Sequence, residues 1–80
     1  MTRQTILDIL TKIGRKVFQD YELVGAENLT ALDVEGWDSM SHLVFISEVE
    51  NKFAIHFTTT EILKVRRLGD LMDIIERQVG

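Results

Sequence analysis

Residues 36–53 read GWDSMSHLVFISEVENKF, and this stretch decides the fold. Within it Met40, Leu43, Val44, Ile46, Val49 and Phe53 recur at helical spacing, with Asp38 or Ser39 in place to cap the first turn. The pattern predicts a helix, the second of the chain. Upstream of it, residues 19–38 hold Asp20, Glu22, Glu27, Asp33, Glu35 and Asp38 and no base. No period runs through that segment, which reads as a long loop pinned to a core by Leu23, Val24, Leu29, Leu32 and Val34. Unstructured connections longer than about 12–15 residues are uncommon in compact domains and are usually functional or disordered; the apolar anchors favour function.

Working outward, Ile6, Leu7, Ile9, Leu10, Ile13 and Val17 define a first helix that fades at Gln19-Asp20. After the second helix, Phe53, Ile55 and Phe57 alternate with Ala54 and His56, which is read as an extended connector because no partner strand is evident. Thr58 and Glu61 have capping-box spacing and Phe57 and Ile62 the matching staple spacing, so a short third helix begins there. Arg66-Arg67 and Gly69 interrupt it. Leu71, Met72, Ile75 and Val79 then carry a last helix to a closing Gly80. The expected fold class is all-α, a small four-helix bundle with three longer helices, one short third helix and a long first loop.

Eighty residues, 45% hydrophobic and 28% charged, suit one globular domain spanning 1–80. So small a unit has little room for a deep cleft lined by convergent groups, which argues against an enzyme. A net charge of −4 argues against a nucleic-acid binder, whose footprint is a basic face. No apolar run approaches the roughly 18 residues of a membrane span and no signal-peptide pattern opens the chain, so the expectation is a cytoplasmic monomer. Cysteine is absent, so any thiol chemistry needs an imported thiol. His42 and His56 are the only histidines and lie in separate elements, which predicts no metal site. Asp38, Ser39 and His42 share one helical turn, but one exposed turn supplies neither the alignment nor the oxyanion hole of a catalytic triad.

An exposed serine at a helix start, next to unpaired backbone N–H groups, suits a phosphoserine ester. The plain alternative is that Asp38-Ser39 caps the helix and Trp37 packs on the core. Here the chain resembles the acyl carrier proteins over nearly its whole length. The resemblance rests on Asp38-Ser39-Met40 opening the second helix, on Gly36-Trp37 before it, on Glu50 followed by Phe53, Ile55 and Phe57, and on Gly69-Asp70-Leu71 at the last helix. It implies that Ser39 carries 4′-phosphopantetheine, placed by a phosphopantetheinyl transferase (holo-carrier synthase) from coenzyme A, with Asp38 assisting attachment. The arm then holds acyl groups as thioesters, shuttled among enzymes of fatty-acid, polyketide or related specialised biosynthesis. Two alternatives remain, a standalone aminoacyl or D-alanyl carrier and an unmodified helical adaptor.

The resemblance also implies acyl-loading and acyl-processing partners with basic patches that dock on the second helix. Glu48 and Glu50 keep acid there, whereas Ser41, Val44 and Asn51 stand where the family often has it. The expected partner-binding residues are Met40, His42, Phe45, Glu48 and Glu50, with Phe45 also placed to join the core beside Val49. Leu43, Val44, Ile62 and Leu68 are the expected lining of an acyl pocket. No nucleic acid, membrane or metal partner is expected.

Overall fold

The second helix, α2 (Ser39–Phe53), starts at Asp38, which adopts extended backbone and caps the first turn with its side chain. Asp38 rather than Ser39 is therefore the cap. At the other end Ala54 takes a left-handed conformation, and the N–H groups of Ala54 and Ile55 both close on the Glu50 carbonyl. Stopping the helix this way turns the chain, and Ile55 and Phe57 are driven into the core. The connector forms no strand, as the missing partner implied.

The computed structural model describes residues 1–79, so Gly80 lies outside the described residues. Around α2 stand α1 (Arg3–Val17), α3 (Thr59–Lys64) and α4 (Leu68–Val79), with a single 3-10 turn at Ala31–Asp33 in the first loop. The all-α, four-helix reading is borne out, including the short third helix. Thr58 and Glu61 form the expected capping box around α3. Gly69, read as an interruption, instead sits in the first turn of α4, where its N–H meets the Glu27 carbonyl at 2.8 Å. No helix among the described residues is long and apolar enough to cross a membrane.

One apolar cluster holds the elements together. Ile6 and Leu10 from α1, Phe45, Ile46 and Val49 from α2, and Leu68, Leu71, Met72, Ile74 and Ile75 from α4 are its centre. The loop is fastened at both ends of its span. Leu23 and Val34 are buried, Arg15 Nε donates to the Leu23 carbonyl at 2.8 Å, and the Leu29 carbonyl accepts from Leu68 N at 3.0 Å. Val24 and Leu32, expected as anchors, are exposed instead; Leu32 is 98% accessible. Arg3 joins α1 to both loop and α4, pairing with Glu27 at 2.7 Å, with Asp73 at 2.9 Å and with Glu76. The Glu27 and Glu76 carboxylates, in that order, raise the Arg3 guanidinium further above its already high range. In return Arg3 holds Glu27 below the usual carboxylate range.

Candidate functional site

The junction of loop and α2 is built from one side-chain cap and one aromatic stack. Asp38 Oδ1 accepts from Met40 N at 3.0 Å and Ser41 N at 2.9 Å. Asp38 N–H donates to Ser41 Oγ at 2.8 Å, and the Ser41 hydroxyl donates to the Gly36 carbonyl at 2.6 Å. The bond from Ser41 N–H is the main reason the Asp38 carboxyl ionises below its ordinary range, with the Ser41 side chain and Met40 N–H acting in the same direction. Gly36 is needed because a Cβ there would lie 2.4 Å from the Phe18 carbonyl oxygen. Trp37 is buried and stacks on Phe18 at 5.0 Å between ring centroids.

Ser39 is treated differently from its neighbour. It is the first residue of α2, it is exposed, and its hydroxyl stands outside the bonds that tie Asp38, Met40, Ser41 and Gly36 together. Beside it opens a cleft of about 610 Å³ between the first loop, α2 and the end of α3, with Leu32, Trp37, His42, Leu63 and Val65 on its walls. His42 reaches across this cleft. Its Nδ1 accepts from Trp37 Nε1–H at 3.0 Å, and its Nε2 lies 3.4 Å from the Ile62 carbonyl. Neither nitrogen serves Ser39, so no nucleophile and base pair is assembled.

A solution NMR structure of a holo acyl carrier protein from Geobacter metallireducens superposes with a TM-score of 0.85 at 36% identity, over 92% of this chain and 85% of that one. The chain belongs to the acyl carrier protein family. An acyl carrier protein candidate from Mycobacterium tuberculosis shares the fold, with a TM-score of 0.82 at 16% identity over 91% of this chain and 97% of that one. No family model and no curated protein matches the sequence. As a member of that family the protein is a carrier and not an enzyme.

The carrier's structure moves several expected site residues. Phe45, expected at a partner surface, has no exposed area and lies at the centre of the core, because its ring packs against both members of the Phe18–Trp37 stack. Glu50 is not free for docking either: its carboxylate accepts Phe57 N–H at 2.8 Å and supports the connector. His42 is half-buried and engaged with Trp37. Met40 faces solvent as expected of a contact residue, at 80% exposure, and Glu48 is half-buried.

Leu43 and Val44, expected in an acyl pocket, are 60% and 50% exposed and point away from the core. Leu68 is buried inside the apolar cluster, and Ile62 packs against that cluster's edge. The cleft walls contributed by Leu32, Leu63 and Val65 were not anticipated. Their signal is tertiary, since three isolated apolar residues in two elements carry no shared period. The Trp37–His42 hydrogen bond likewise follows no standard helical spacing. Ser41 was legible in principle, because it stands three residues after Asp38, where a capping box places its second member.

Proposed function

We propose that this carrier bears a 4′-phosphopantetheine arm on Ser39 and moves acyl intermediates among enzymes of fatty-acid, polyketide or related specialised biosynthesis, with residues 1–80 as its single carrier domain. The observation that carries the reading is the free, exposed Ser39 hydroxyl on the first turn of α2, at the mouth of the cleft. When bound, the arm supplies the thiol that a chain without cysteine lacks and on which acyl groups ride as thioesters.

The residues present fit such a group. Ser39 is reachable by a second protein, and no intramolecular bond must break to expose its oxygen. Asp38 uses Oδ1 for the cap and ionises below its ordinary range, which leaves Oδ2 outside those two bonds as a carboxylate oxygen suited to the magnesium ion used in attachment. The N–H groups of Met40 and Ser41 are committed to Asp38, so they are not the ones that would hold a phosphodiester. The helix dipole remains, and it offsets part of the repulsion between that phosphate and Asp38.

Docking of a phosphopantetheinyl transferase and of acyl-loading and acyl-processing enzymes falls to the exposed face of α2. Met40, Leu43 and Val44 make that face more apolar than acidic, which favours contact over long-range attraction. The test of the reading is modification in vitro. Incubation with coenzyme A, magnesium and a broad-specificity transferase should add one arm, mapped by peptide mass to Ser39. Attachment at Ser41 or Ser47, or none, overturns the assignment, and the last result leaves the adaptor reading. Intact mass of the protein from its own host then separates acyl from aminoacyl or D-alanyl cargo.

A further inference from the structure

We infer that His42 is a positioning residue, a proton-sensitive strut that holds α3 in place over the cleft beside Ser39. The inference deepens the carrier reading, because it concerns regulation of that same site, but its geometry does not depend on Ser39 carrying an arm.

The hydrogen bonds assign the ring's protonation. An indole N–H only donates, so His42 Nδ1, 3.0 Å from Trp37 Nε1, must be an unprotonated acceptor. The remaining proton of the neutral imidazole is then on Nε2, which points at the Ile62 carbonyl at 3.4 Å. The second bond is long and weak, yet it has unusual weight in this fold. α3 is six residues long and buries none of its side chains completely. Its capping bonds are internal, between Thr58 and Glu61. Among the described residues, the His42 contact is the hydrogen bond that a residue within α3 makes to another helix; the start of the segment is held by buried Phe57, whose N–H is bonded to Glu50, and the rest by the partial packing of Ile62 and Val65.

Adding a proton to Nδ1 sets two N–H donors against each other across the Trp37 contact. The ring must leave Trp37, and by turning it also leaves Ile62. The strut is therefore present when His42 is neutral and lost when it is charged. No other group accepts from Trp37 Nε1 in this arrangement. Of the charged groups on this cleft, Asp38, at the α2 start, has its Oδ1 committed to the cap, and Arg66, beyond α3, is cationic; the loop residues Thr30, Ala31 and Leu32 that line it are uncharged, and Phe18 stacks on Trp37. Loss of the strut loosens the α3 wall, formed by Leu63 and Val65, and widens the cleft next to Ser39.

The chain has one tryptophan, so the strut carries its own reporter. The experiment uses the unmodified protein. Trp37 fluorescence is titrated from pH 8.5 to 5 in the parent, in His42→Gln and in His56→Gln, and the backbone amide shifts of residues 59–64 are followed by NMR over the same range. The parent and His56→Gln should show the same one-proton transition in both signals, and His42→Gln should lose it from both. A transition that survives His42→Gln, that vanishes with His56→Gln, or that moves Trp37 without α3 overturns the strut. If His42→Gln does not fold, the tautomer is read from the imidazole nitrogen shifts of the parent at pH 8: a proton on Nε2 supports the assignment, and one on Nδ1 refutes it. None of these readouts requires an arm, so failure of the strut and failure of the Ser39 assignment remain distinguishable.

Discussion

Replacing Phe45 by alanine separates a core role from a docking role. The Phe45 ring is fully enclosed, 5.1 Å from Phe18 and 5.7 Å from Trp37 between centroids. Returning such a side chain to water forfeits about 1.5–3 kcal/mol of burial. The cavity left behind raises Phe→Ala costs to about 3–5 kcal/mol, and losing two aromatic contacts, each worth about 0.5–1.5 kcal/mol, places this site in the upper part of that range. A chain this size has a total stability of about 4–12 kcal/mol. A loss near 4 kcal/mol therefore removes a third or more of it, and at about 4–8 °C per kcal/mol the thermal midpoint should fall by roughly 15–30 °C. Thermal and urea unfolding followed by circular dichroism measure this, with Leu43→Ala as the control. Leu43 is largely exposed, so its truncation should change stability by no more than about 0.5 kcal/mol. If Phe45→Ala melts within about 5 °C of the parent, or Leu43→Ala melts as low as Phe45→Ala, the placement of α2 is wrong.

Four further outcomes follow from the same geometry. Gly36→Ala pushes a methyl group to 2.4 Å from a backbone oxygen of Phe18 and should cost about 1–3 kcal/mol in urea unfolding; an unchanged midpoint would contradict the close approach. Ala54→Gly should stabilise by up to about 1 kcal/mol, because relief of a left-handed residue, about 1–2 kcal/mol, exceeds the extra unfolded-state freedom of glycine, about 0.4–1 kcal/mol. Asp38 and Glu27 both have folded-state values below the ordinary range, so their contribution is complete above about pH 4–4.5 and is lost as pH falls through those lower values. Asp38→Asn, which still caps, should flatten the acid limb of stability between pH 2 and 5, and an unaltered limb refutes the assignment. Met40→Ser and Leu43→Ser should slow loading by a cognate enzyme more than Glu48→Gln does, with modest dependence on salt; a rate that collapses with salt and ignores both would reject the apolar docking face.

The positions and order of the helices were legible in the sequence because their causes are local. The capping box of Thr58 and Glu61 needs only three residues of spacing, and the periods of α1 and α4 each single out one buried stripe, Ile6 and Leu10 in one, Leu71, Met72 and Ile75 in the other. The Asp38-Ser39 junction was visible for the same reason. In α2 the apolar residues run nearly all round the helix, from Met40 through Leu43, Val44, Phe45 and Ile46 to Val49, so periodicity could not choose the inward face. Tertiary packing chose it. Phe18 and Trp37, brought together by a loop with no period of its own, leave an aromatic-sized space that Phe45 fills, and that rotation of α2 turns Leu43 and Val44 outward while His42 faces the cleft. Which serine is free was settled in the same way: Ser41 lies where its hydroxyl reaches the Gly36 carbonyl, and Ser39, two residues earlier on the turn, does not.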